Sequence, residues 1–227
     1  MSADFTGWTL VFDLDGTLVE TAPDLHAALN HTLASKGLGP VPIETIRMMI
    51  GDGAKALIRK GLTWHNHTVD EAEISAQLWP TFIDHYLANI CRLSHPYEHA
   101  FESLEQLSAL GATHAVCTNK AQNLAEEVLK GLSADHHFVA TIGGDLAASP
   151  KPDGGHILET IARAGGDPAR AIMIGDSSTD EKAARDAKLP FVFVTFGYGQ
   201  LSEEPFGNLR VIDHWRDMQT ALLELRT

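Results

Sequence analysis

The stretch Trp8-Thr-Leu-Val-Phe-Asp-Leu-Asp-Gly-Thr17 decides the fold. Its first five residues are apolar or β-branched, which is typical of a short buried strand. Two carboxylates, Asp13 and Asp15, follow directly, and Gly16 permits a sharp turn after them. Two acids this close repel each other unless a cation joins them. The stretch therefore predicts a strand that ends in a cation-binding turn.

Further apolar runs predict five more strands, which alternate with helical patterns along the second half of the chain. These runs cover residues 114–118, 138–142, 171–174, 191–195 and 209–212. Strands that alternate with helices, several of them apolar throughout, favour a parallel sheet wrapped by helices. Because parallel crossovers are right-handed, the predicted fold is α/β, a doubly wound, Rossmann-like open sheet.

Residues 19–95 interrupt this alternation and contain helical patterns only. Apolar residues from Leu25 to Leu33 keep the spacing of an amphipathic helix, and Thr21 and Asp24 resemble a capping box in front of it. Such an insertion predicts a separate helical cap domain over 19–95. The Rossmann-like core would then comprise residues 1–18 and 96–227.

Composition excludes several classes of protein. The 227 residues include 17 Lys and Arg against 30 Asp and Glu, a formal charge of −13. A nucleic-acid binder or a protein of anionic membranes needs a basic face. The start of the chain is not basic and no apolar run is long enough to span a membrane, so no signal peptide is expected. Two cysteines give no disulfide framework. These features predict a cytoplasmic protein and leave its oligomeric state, monomer or dimer, open.

Polar residues cluster where the predicted strands end, at the edge where open parallel sheets bind ligands. Asp13, Asp15 and Asp176 supply hard oxygen ligands without a Cys or His partner, which suits Mg²⁺. An aspartate beside Mg²⁺ can also act as a nucleophile toward phosphorus. The negative charge of a phosphoryl group needs cations and donors, which Lys151 and Thr118 can supply together with the N–H groups near Asn119.

Four motifs in order carry a family resemblance: DxDGT at 13–17, Thr118-Asn119 after the second core strand, Lys151 before Pro152, and GDxxxD at 175–180. They resemble the motifs of the haloacid dehalogenase superfamily of phosphatases, and the helical insertion after the first motif is similar too. Within the superfamily, the segments around Gly51-Asp-Gly53, Gly143-Gly-Asp145 and 195–199 look like the phosphoglycolate phosphatases. The resemblance thus implies a Mg²⁺-dependent phosphomonoester hydrolase of a small metabolite, most similar to those that act on 2-phosphoglycolate.

The resemblance also implies a role for each motif residue. Asp13 would be the nucleophile and Asp15 the general acid and base. The Mg²⁺ ligands would be Asp13, the Asp15 carbonyl and Asp176, and the phosphoryl oxygens would be bound by Thr118, Asn119 and Lys151. Asp180 would orient Lys151 or a metal-bound water, and Thr17 is the phosphatase-like residue after Gly16.

Two of these residues also have purely structural interpretations. Asp180 lies in the first turn of a predicted helix, where Ser178 and Glu181 match a capping box and a carboxylate favours the helix dipole. Asn119 has Gln122 three residues later and could cap the next helix.

The cap is expected to recognise the substrate. Arg47 and the Gly51-Asp52-Gly53 loop are the candidates for binding the end of the substrate that does not react, although a solvated basic face explains a lone arginine as well. Other functions stay open: hydrolysis of a sugar phosphate, nucleotide or pyrophosphate, a phosphosugar mutase, a haloacid dehalogenase, or a member that only binds.

Overall fold

In a computed structural model, which describes residues 4–68 and 70–226, six parallel strands form one sheet in the order β5-β4-β1-β6-β7-β8. Two further short strands, β2 and β3, pair with each other in antiparallel fashion. The strands are β1 (Thr9–Phe12), β2 (Val19–Glu20), β3 (His95–Pro96), β4 (Thr113–Thr118), β5 (Ala140–Gly143), β6 (Ala171–Gly175), β7 (Phe191–Val194) and β8 (Leu209–Ile212). The predicted α/β class and parallel sheet are confirmed, and predicted strand ends differ from these bounds by at most two residues.

Helices cover both faces of the sheet and form the insertion. They are α1 (Ala22–Ala34), α2 (Ile43–Arg47), α3 (Ala54–Trp64), α4 (Glu71–Glu73), α5 (Trp79–Ala88), α6 (Ala100–Ala109), α7 (Gln122–Gly131), α8 (Gly154–Arg163), α9 (Ser178–Asp186) and α10 (Met218–Leu225). A π-helical turn over Ile74–Leu78 joins α4 to α5. None of the helices in the described residues has the length and hydrophobicity that a membrane span needs.

Strand β1 lies at the centre of the sheet, between β4 and β6, and all four of its residues are buried. Its side chains alternate between two hydrophobic clusters, one on each face of the sheet. Phe12 packs into the first cluster, stacked on Trp215 at 6.0 Å between ring centroids, and Val11 packs into the second. Because β1 is buried on both faces of the sheet, its sequence is a run of apolar and β-branched residues without the alternation of a half-exposed strand.

The segment from 22 to 88, called the cap below, has a hydrophobic cluster of its own. Buried residues of α1, α3 and α5 form it, and Leu124 of α7 contributes from the side of the sheet. The chain enters and leaves the cap through β2 and β3, where Val19 pairs with Pro96 and Glu20 with His95. The two connections therefore run side by side, which is a suitable arrangement for a hinge.

The capping box that the sequence predicts at Thr21 and Asp24 is wrong. The Thr21 hydroxyl donates to Asp15 Oδ1 at 2.5 Å instead of capping α1. The Asp24 carboxylate accepts hydrogen bonds from the backbone N–H groups of Leu93 and Ser94 and from the Ser94 hydroxyl. Partners distant in sequence thus use both side chains, and Asp24 joins the first helix of the cap to the segment that leaves it.

His114 in β4 is buried in a form that should be sensitive to acid. The ring is 1% exposed, packs edge-on against Phe12, and has no hydrogen-bond partner on either nitrogen among the described residues. Burial lowers its pKa from 6.5 to about 4. Because the unfolded chain binds more protons between these two values, stability is lost as the pH falls from about 6.5 toward 4.

We therefore expect acidification from pH 7.5 to 5 to remove about 2 kcal/mol of unfolding free energy through His114. Urea unfolding of the wild type and of His114→Leu at both pH values measures this contribution. The pH dependence should be shallower in the variant. An equal pH dependence in both proteins would contradict the assignment to this ring.

Candidate active site

The strand ends bring the predicted acids together. Asp13 follows β1 and Asp176 follows β6, while Asp180 lies in the first turn of α9. Carboxylate oxygens of these three residues lie within 4.8 Å of one another, and all three side chains are buried. Buried like charges at this spacing are unfavourable unless cations accompany them.

Lys151 supplies one of these cations. Its ammonium lies 2.9 Å from Asp13 Oδ1 and 2.6 Å from Asp180 Oδ1, and it donates to the Cys117 carbonyl at 2.7 Å. The side chains of Lys151 and Asp180 are each 1% exposed. Burial alone would lower the pKa of Lys151, but the charges of Asp13 and Asp180 outweigh it and raise that pKa above its ordinary value. The lysine is therefore fixed in its charged form beside the predicted nucleophile.

Asp180 makes the contacts that both interpretations of it need. One carboxylate oxygen contacts Lys151, and the other accepts hydrogen bonds from the N–H and hydroxyl of Ser177. Ser177 and Asp180 form a reciprocal capping box at the start of α9. The predicted box of Ser178 and Glu181 is wrong by one residue, because the helix begins at Ser178 and Ser177 is its cap.

Asp176 is held by groups from two other segments. The Thr17 hydroxyl lies 3.2 Å from its Oδ1, and the N–H groups of Tyr198 and Gly199 donate to its Oδ2 at 2.6 and 3.2 Å. The Tyr198 hydroxyl in turn accepts hydrogen bonds from the backbone of Thr21 and Ala22 and donates to Glu20. The loop over 195–199 thus links Asp176 to the entry of the cap.

The acidic cluster fits a hard divalent cation. Oδ1 of Asp13 is buried and receives no hydrogen bond of suitable geometry from the part of the chain that the structure describes, although the Lys151 ammonium lies 2.9 Å away. Burial and the neighbouring carboxylates raise the pKa values of Asp13 and Asp176. Carboxylate oxygens that a single lysine cannot fully compensate are the ligands that hard cations prefer.

Asp15 has a cation of its own that sequence reasoning missed. The Lys120 ammonium lies 2.9 and 3.2 Å from the two carboxylate oxygens of Asp15, and the Lys120 side chain is 4% exposed. The same ammonium lies 4.9 Å from the centre of the Tyr86 ring, which belongs to the cap helix α5. The position of Lys120 in the sequence was the signal that could have indicated it. Lys120 follows Asn119 directly and therefore lies at the same sheet edge as the other site residues.

Asn119 bridges the sheet edge and the cap. Its amide nitrogen donates to the Lys151 carbonyl at 2.9 Å and to the Gly51 carbonyl at 3.1 Å, and its buried Oδ1 accepts no hydrogen bond. The predicted capping of the next helix by Asn119 is wrong, because α7 begins at Gln122 with Ala121 as its cap residue. Thr118, at the end of β4, accepts a hydrogen bond from the Lys120 N–H.

The predicted recognition residues of the cap have different surroundings. Gly51 and Gly53 line a cavity beside Asp13 and Asp15, whereas the Asp52 carboxylate pairs with Lys60. The Arg47 guanidinium lies 3.4 Å from Glu20 and does not line this cavity. Substrate recognition by these four residues stays a prediction.

The cavity between the cap and the sheet edge gives the centres of water-sized molecules a volume of about 30 Å³. Acids, polar groups and apolar cap residues line it: Asp13, Asp15, Leu25, Ile50, Gly51, Gly53, Ala54, Leu57, Thr118, Asn119, Lys120, Ala121 and Leu124. The cap thus forms one wall of this cavity, and the ends of the sheet strands form the other.

A substitution at Gly197 tests whether the loop over 195–199 holds Asp176 in position. A Cβ at position 197 would overlap with the Asp176 side chain, whereas a Cβ at Gly207 would have no neighbour within 4 Å. We expect Gly197→Ala to lower activity by about 10- to 100-fold, the usual effect of disturbing the groups that orient a metal ligand. Gly207→Ala is the matched control.

Steady-state kinetics at increasing divalent metal concentration measures this effect. The Gly197 variant should need more metal than the wild type for half-maximal activity, and the Gly207 variant should not. Equal metal dependence in all three proteins would contradict a supporting role for this loop.

Comparisons with known proteins agree with this geometry. Residues 10–194 match the family described as haloacid dehalogenase-like hydrolase. A phosphoglycolate phosphatase of Caulobacter vibrioides is 44% identical over 99% of this chain and 94% of its own length. A protein of the same name from Agrobacterium fabrum is 44% identical over 94% of this chain and 91% of its own.

A solved structure from Haemophilus somnus, described as a predicted phosphoglycolate phosphatase, superposes with a TM-score of 0.85 and is 28% identical, covering 97% of this chain and 98% of its own. The family match covers most of the chain, and the named relatives span nearly its full length. The chain therefore belongs to the haloacid dehalogenase-like hydrolase family, and within it to the phosphatases.

Proposed function

We propose that this protein is a Mg²⁺-dependent hydrolase of 2-phosphoglycolate that acts through an aspartyl-phosphate on Asp13. The observation that carries the proposal is the buried cluster of Asp13, Asp176 and Asp180, two of which, Asp13 and Asp180, contact Lys151. It combines an orphaned carboxylate oxygen with a fixed cation, which are the requirements of nucleophilic attack on a phosphate ester. The names of the two relatives with 44% identity support the choice of 2-phosphoglycolate.

In the first half-reaction, Asp13 attacks phosphorus and the bond between phosphorus and the ester oxygen breaks. Asp15 donates a proton to the departing alkoxide, which leaves as glycolate. Lys151 offsets charge beside the nucleophile and, with Thr118 and Asn119, binds the phosphoryl oxygens. Lys120 and Thr21 orient the Asp15 carboxyl through contacts of 2.9 and 2.5 Å.

In the second half-reaction, Asp15 accepts a proton from water, and the water oxygen attacks phosphorus. The bond between phosphorus and Asp13 breaks, which regenerates the carboxylate and releases inorganic phosphate. Proton transfer by a positioned carboxyl of this kind increases the rate of such reactions by about 10²–10⁴-fold.

The residues that would hold Mg²⁺ are Asp13, Asp176 and the backbone carbonyl of Asp15. When bound, Mg²⁺ would neutralise negative charge on the phosphoryl group and on the acids. Asp180 would position Lys151 and not a metal-bound water. One of its carboxylate oxygens contacts Lys151, and the other takes part in the α9 capping box.

The division into a core of residues 1–18 and 96–227 and a mobile domain of residues 19–95, which consists of the cap and its two connections, is part of this proposal. The paired connections β2 and β3 and the separate hydrophobic cluster of the cap support it. A narrow cavity with cap residues on one wall further supports a cap that opens for substrate and closes for chemistry. The net charge of −13 further supports a cytoplasmic enzyme of small metabolites that binds neither nucleic acid nor membranes.

Cross-linking the cap to the core should therefore abolish turnover. Lys55 on the cap and Asp145 after β5 line opposite sides of a groove of about 570 Å³. We expect a Lys55→Cys and Asp145→Cys double variant to lose activity when a bifunctional maleimide joins the two thiols. The single-cysteine variants, treated in the same way, are the controls. Unchanged kcat in the cross-linked protein would contradict cap opening.

Two other reactions fit the site less well. Hydrolytic dehalogenation needs neither a metal site nor a second acid, so the buried Asp176 and the oriented Asp15 favour phosphate chemistry. A phosphosugar mutase would protect its aspartyl-phosphate from water until a second hydroxyl arrives. Turnover of a hexose phosphate without release of inorganic phosphate would favour that function.

The test is phosphate release from a panel of esters with Mg²⁺ and with EDTA. The panel contains 2-phosphoglycolate, sugar phosphates, nucleotides and pyrophosphate. We expect Mg²⁺-dependent turnover with the highest kcat/KM for 2-phosphoglycolate. A higher kcat/KM for another ester would overturn the substrate, and turnover that EDTA leaves unchanged would overturn the metal.

A further inference from the structure

Lys120 is a buried, charged residue of the site to which the mechanism above assigns no contact with the substrate. Its ammonium is buried, contacts Asp15 and lines the cavity beside Asp13. Of the residues that line this cavity in the described part of the chain, Lys120 is the one with a basic side chain. We propose, on the basis of the function proposed above, that Lys120 binds the carboxylate of the substrate and thereby selects 2-phosphoglycolate among phosphate esters.

The charge of the substrate requires such a cation. The substrate carries a carboxylate in addition to its phosphate, and the protein that receives it is strongly acidic. Lys151 is occupied by Asp13 and Asp180 on the side of the nucleophile. The cap contributes the apolar side chains of Leu25, Ile50 and Leu57 to the cavity. A carboxylate enclosed by these residues would lose its hydration without compensation unless a cation faced it.

The covalent structure of the substrate places its carboxylate near Lys120. In 2-phosphoglycolate one methylene group separates the ester oxygen from the carboxylate carbon. A general acid acts within about 2.6–3.2 Å of the oxygen that it protonates. Because the Lys120 ammonium lies 2.9 Å from Asp15, an ester oxygen at Asp15 brings the attached carboxylate within reach of Lys120.

The cap cations have other partners in this structure. Arg47 pairs with Glu20, and Arg59 pairs with Glu71 on the exposed side of the cap. Lys55 lies over the Trp79 ring at 5.7 Å and lines the outer groove. By contrast, Tyr86 of the cap covers Lys120 with its ring, so closure of the cap shields this ammonium from water. Shielding strengthens the attraction between Lys120 and a bound carboxylate.

The test compares 2-phosphoglycolate with its neutral amide, which has the same size and the same leaving oxygen. We expect the wild type to prefer the carboxylate. Lys120→Met should lower kcat/KM for 2-phosphoglycolate by on the order of 100-fold more than for the amide, mainly through KM, as for the loss of a charged hydrogen bond. The matched control is Lys55→Met, which should keep the wild-type ratio between the two substrates.

The other outcomes overturn the proposal in distinguishable ways. If Lys120→Met slows both substrates equally, Lys120 acts only by positioning Asp15, and the proposed function stands. If the wild type hydrolyses both esters equally well, no group of the site selects the carboxylate. If the wild type does not hydrolyse 2-phosphoglycolate, the proposed function fails first and this assignment fails with it.

A second variant protects the test against misfolding. Lys120→Gln keeps a hydrogen-bond donor for Asp15 without the charge, and thermal unfolding reports whether either variant is folded. We expect the same loss of carboxylate preference in the Gln variant. A folded Gln variant that keeps the wild-type preference would overturn the assignment.

Discussion

Asp13→Asn will reduce phosphate release from every ester by at least about 10⁴-fold, because an amide cannot attack phosphorus in place of the carboxylate. The fold will persist, since asparagine has nearly the same shape. In EDTA the variant should be as stable as the wild type or more stable. Burial and the nearby Asp180 and Asp15 raise the pKa of Asp13, so its charge is unfavourable when no metal is present.

Kinetics with 2-phosphoglycolate and thermal unfolding in EDTA measure these two effects. The matched control is Asp213→Asn, an exposed carboxyl after β8 that should change neither quantity. Activity of Asp13→Asn above about one hundredth of the wild-type value would mean that water attacks the ester directly and that Asp13 is not the nucleophile.

Lys151→Met will lower both activity and stability. We expect turnover to fall by about 10³-fold, as when a preorganised group that stabilises developing negative charge is removed. In EDTA the free energy of unfolding should fall by about 3–5 kcal/mol, the usual cost of removing one partner from a buried ion pair. The acids Asp13, Asp176 and Asp180 would then remain buried without their lysine.

A double variant separates the two effects. Lys151→Met combined with Asp180→Asn removes both partners of the 2.6 Å ion pair. Stability should recover in part, and activity should not recover. Urea unfolding of the wild type, both single variants and the double variant gives the coupling energy. Additive losses of stability would contradict a coupled pair, and recovered activity would contradict a role for Lys151 in the reaction.

The sequence was most informative where a strand ends in a motif. Strand β1 is apolar because it is buried on both faces of the sheet, and Asp13 lies where that burial ends. The helical insertion was visible as a break in the alternation of strands and helices. The topology then follows from the rules for parallel sheets, and the pairing of β1 with β4 and β6 agrees with it.

Local patterns failed where side chains bind distant partners. Thr21 and Asn119 both have the spacing of helix caps, but Thr21 donates to Asp15, and Asn119 donates to Gly51 and Lys151. A capping pattern describes neighbours within one turn, whereas these hydrogen bonds join segments that only the folded chain brings together. The same reason explains why the sequence did not reveal the role of Lys120. Its partners, Asp15 and Tyr86 of the cap, are both distant from it in sequence.

In the sequence, the loop over 195–199 is distinguished only by its resemblance to the corresponding segment of the family. Its function in this structure is to donate two backbone hydrogen bonds to Asp176 and to connect that acid, through the Tyr198 hydroxyl, to the entry of the cap. Backbone donors leave no mark on residue type, so neither contact could be deduced from the residues alone. Glycine at position 197 indicates only the close approach of this loop to Asp176, since the structure leaves no space for a Cβ there.

The most direct test of the central claim is to find where the phosphoryl group is held during turnover. Enzyme mixed with 2-phosphoglycolate and Mg²⁺ is quenched in acid within one turnover, digested, and analysed by mass spectrometry. The account predicts one phosphoryl group on the peptide that contains Asp13, located on Asp13 by fragmentation and missing from Asp13→Asn. Rapid turnover with that peptide unmodified, or with the phosphoryl group on another residue, would contradict the account.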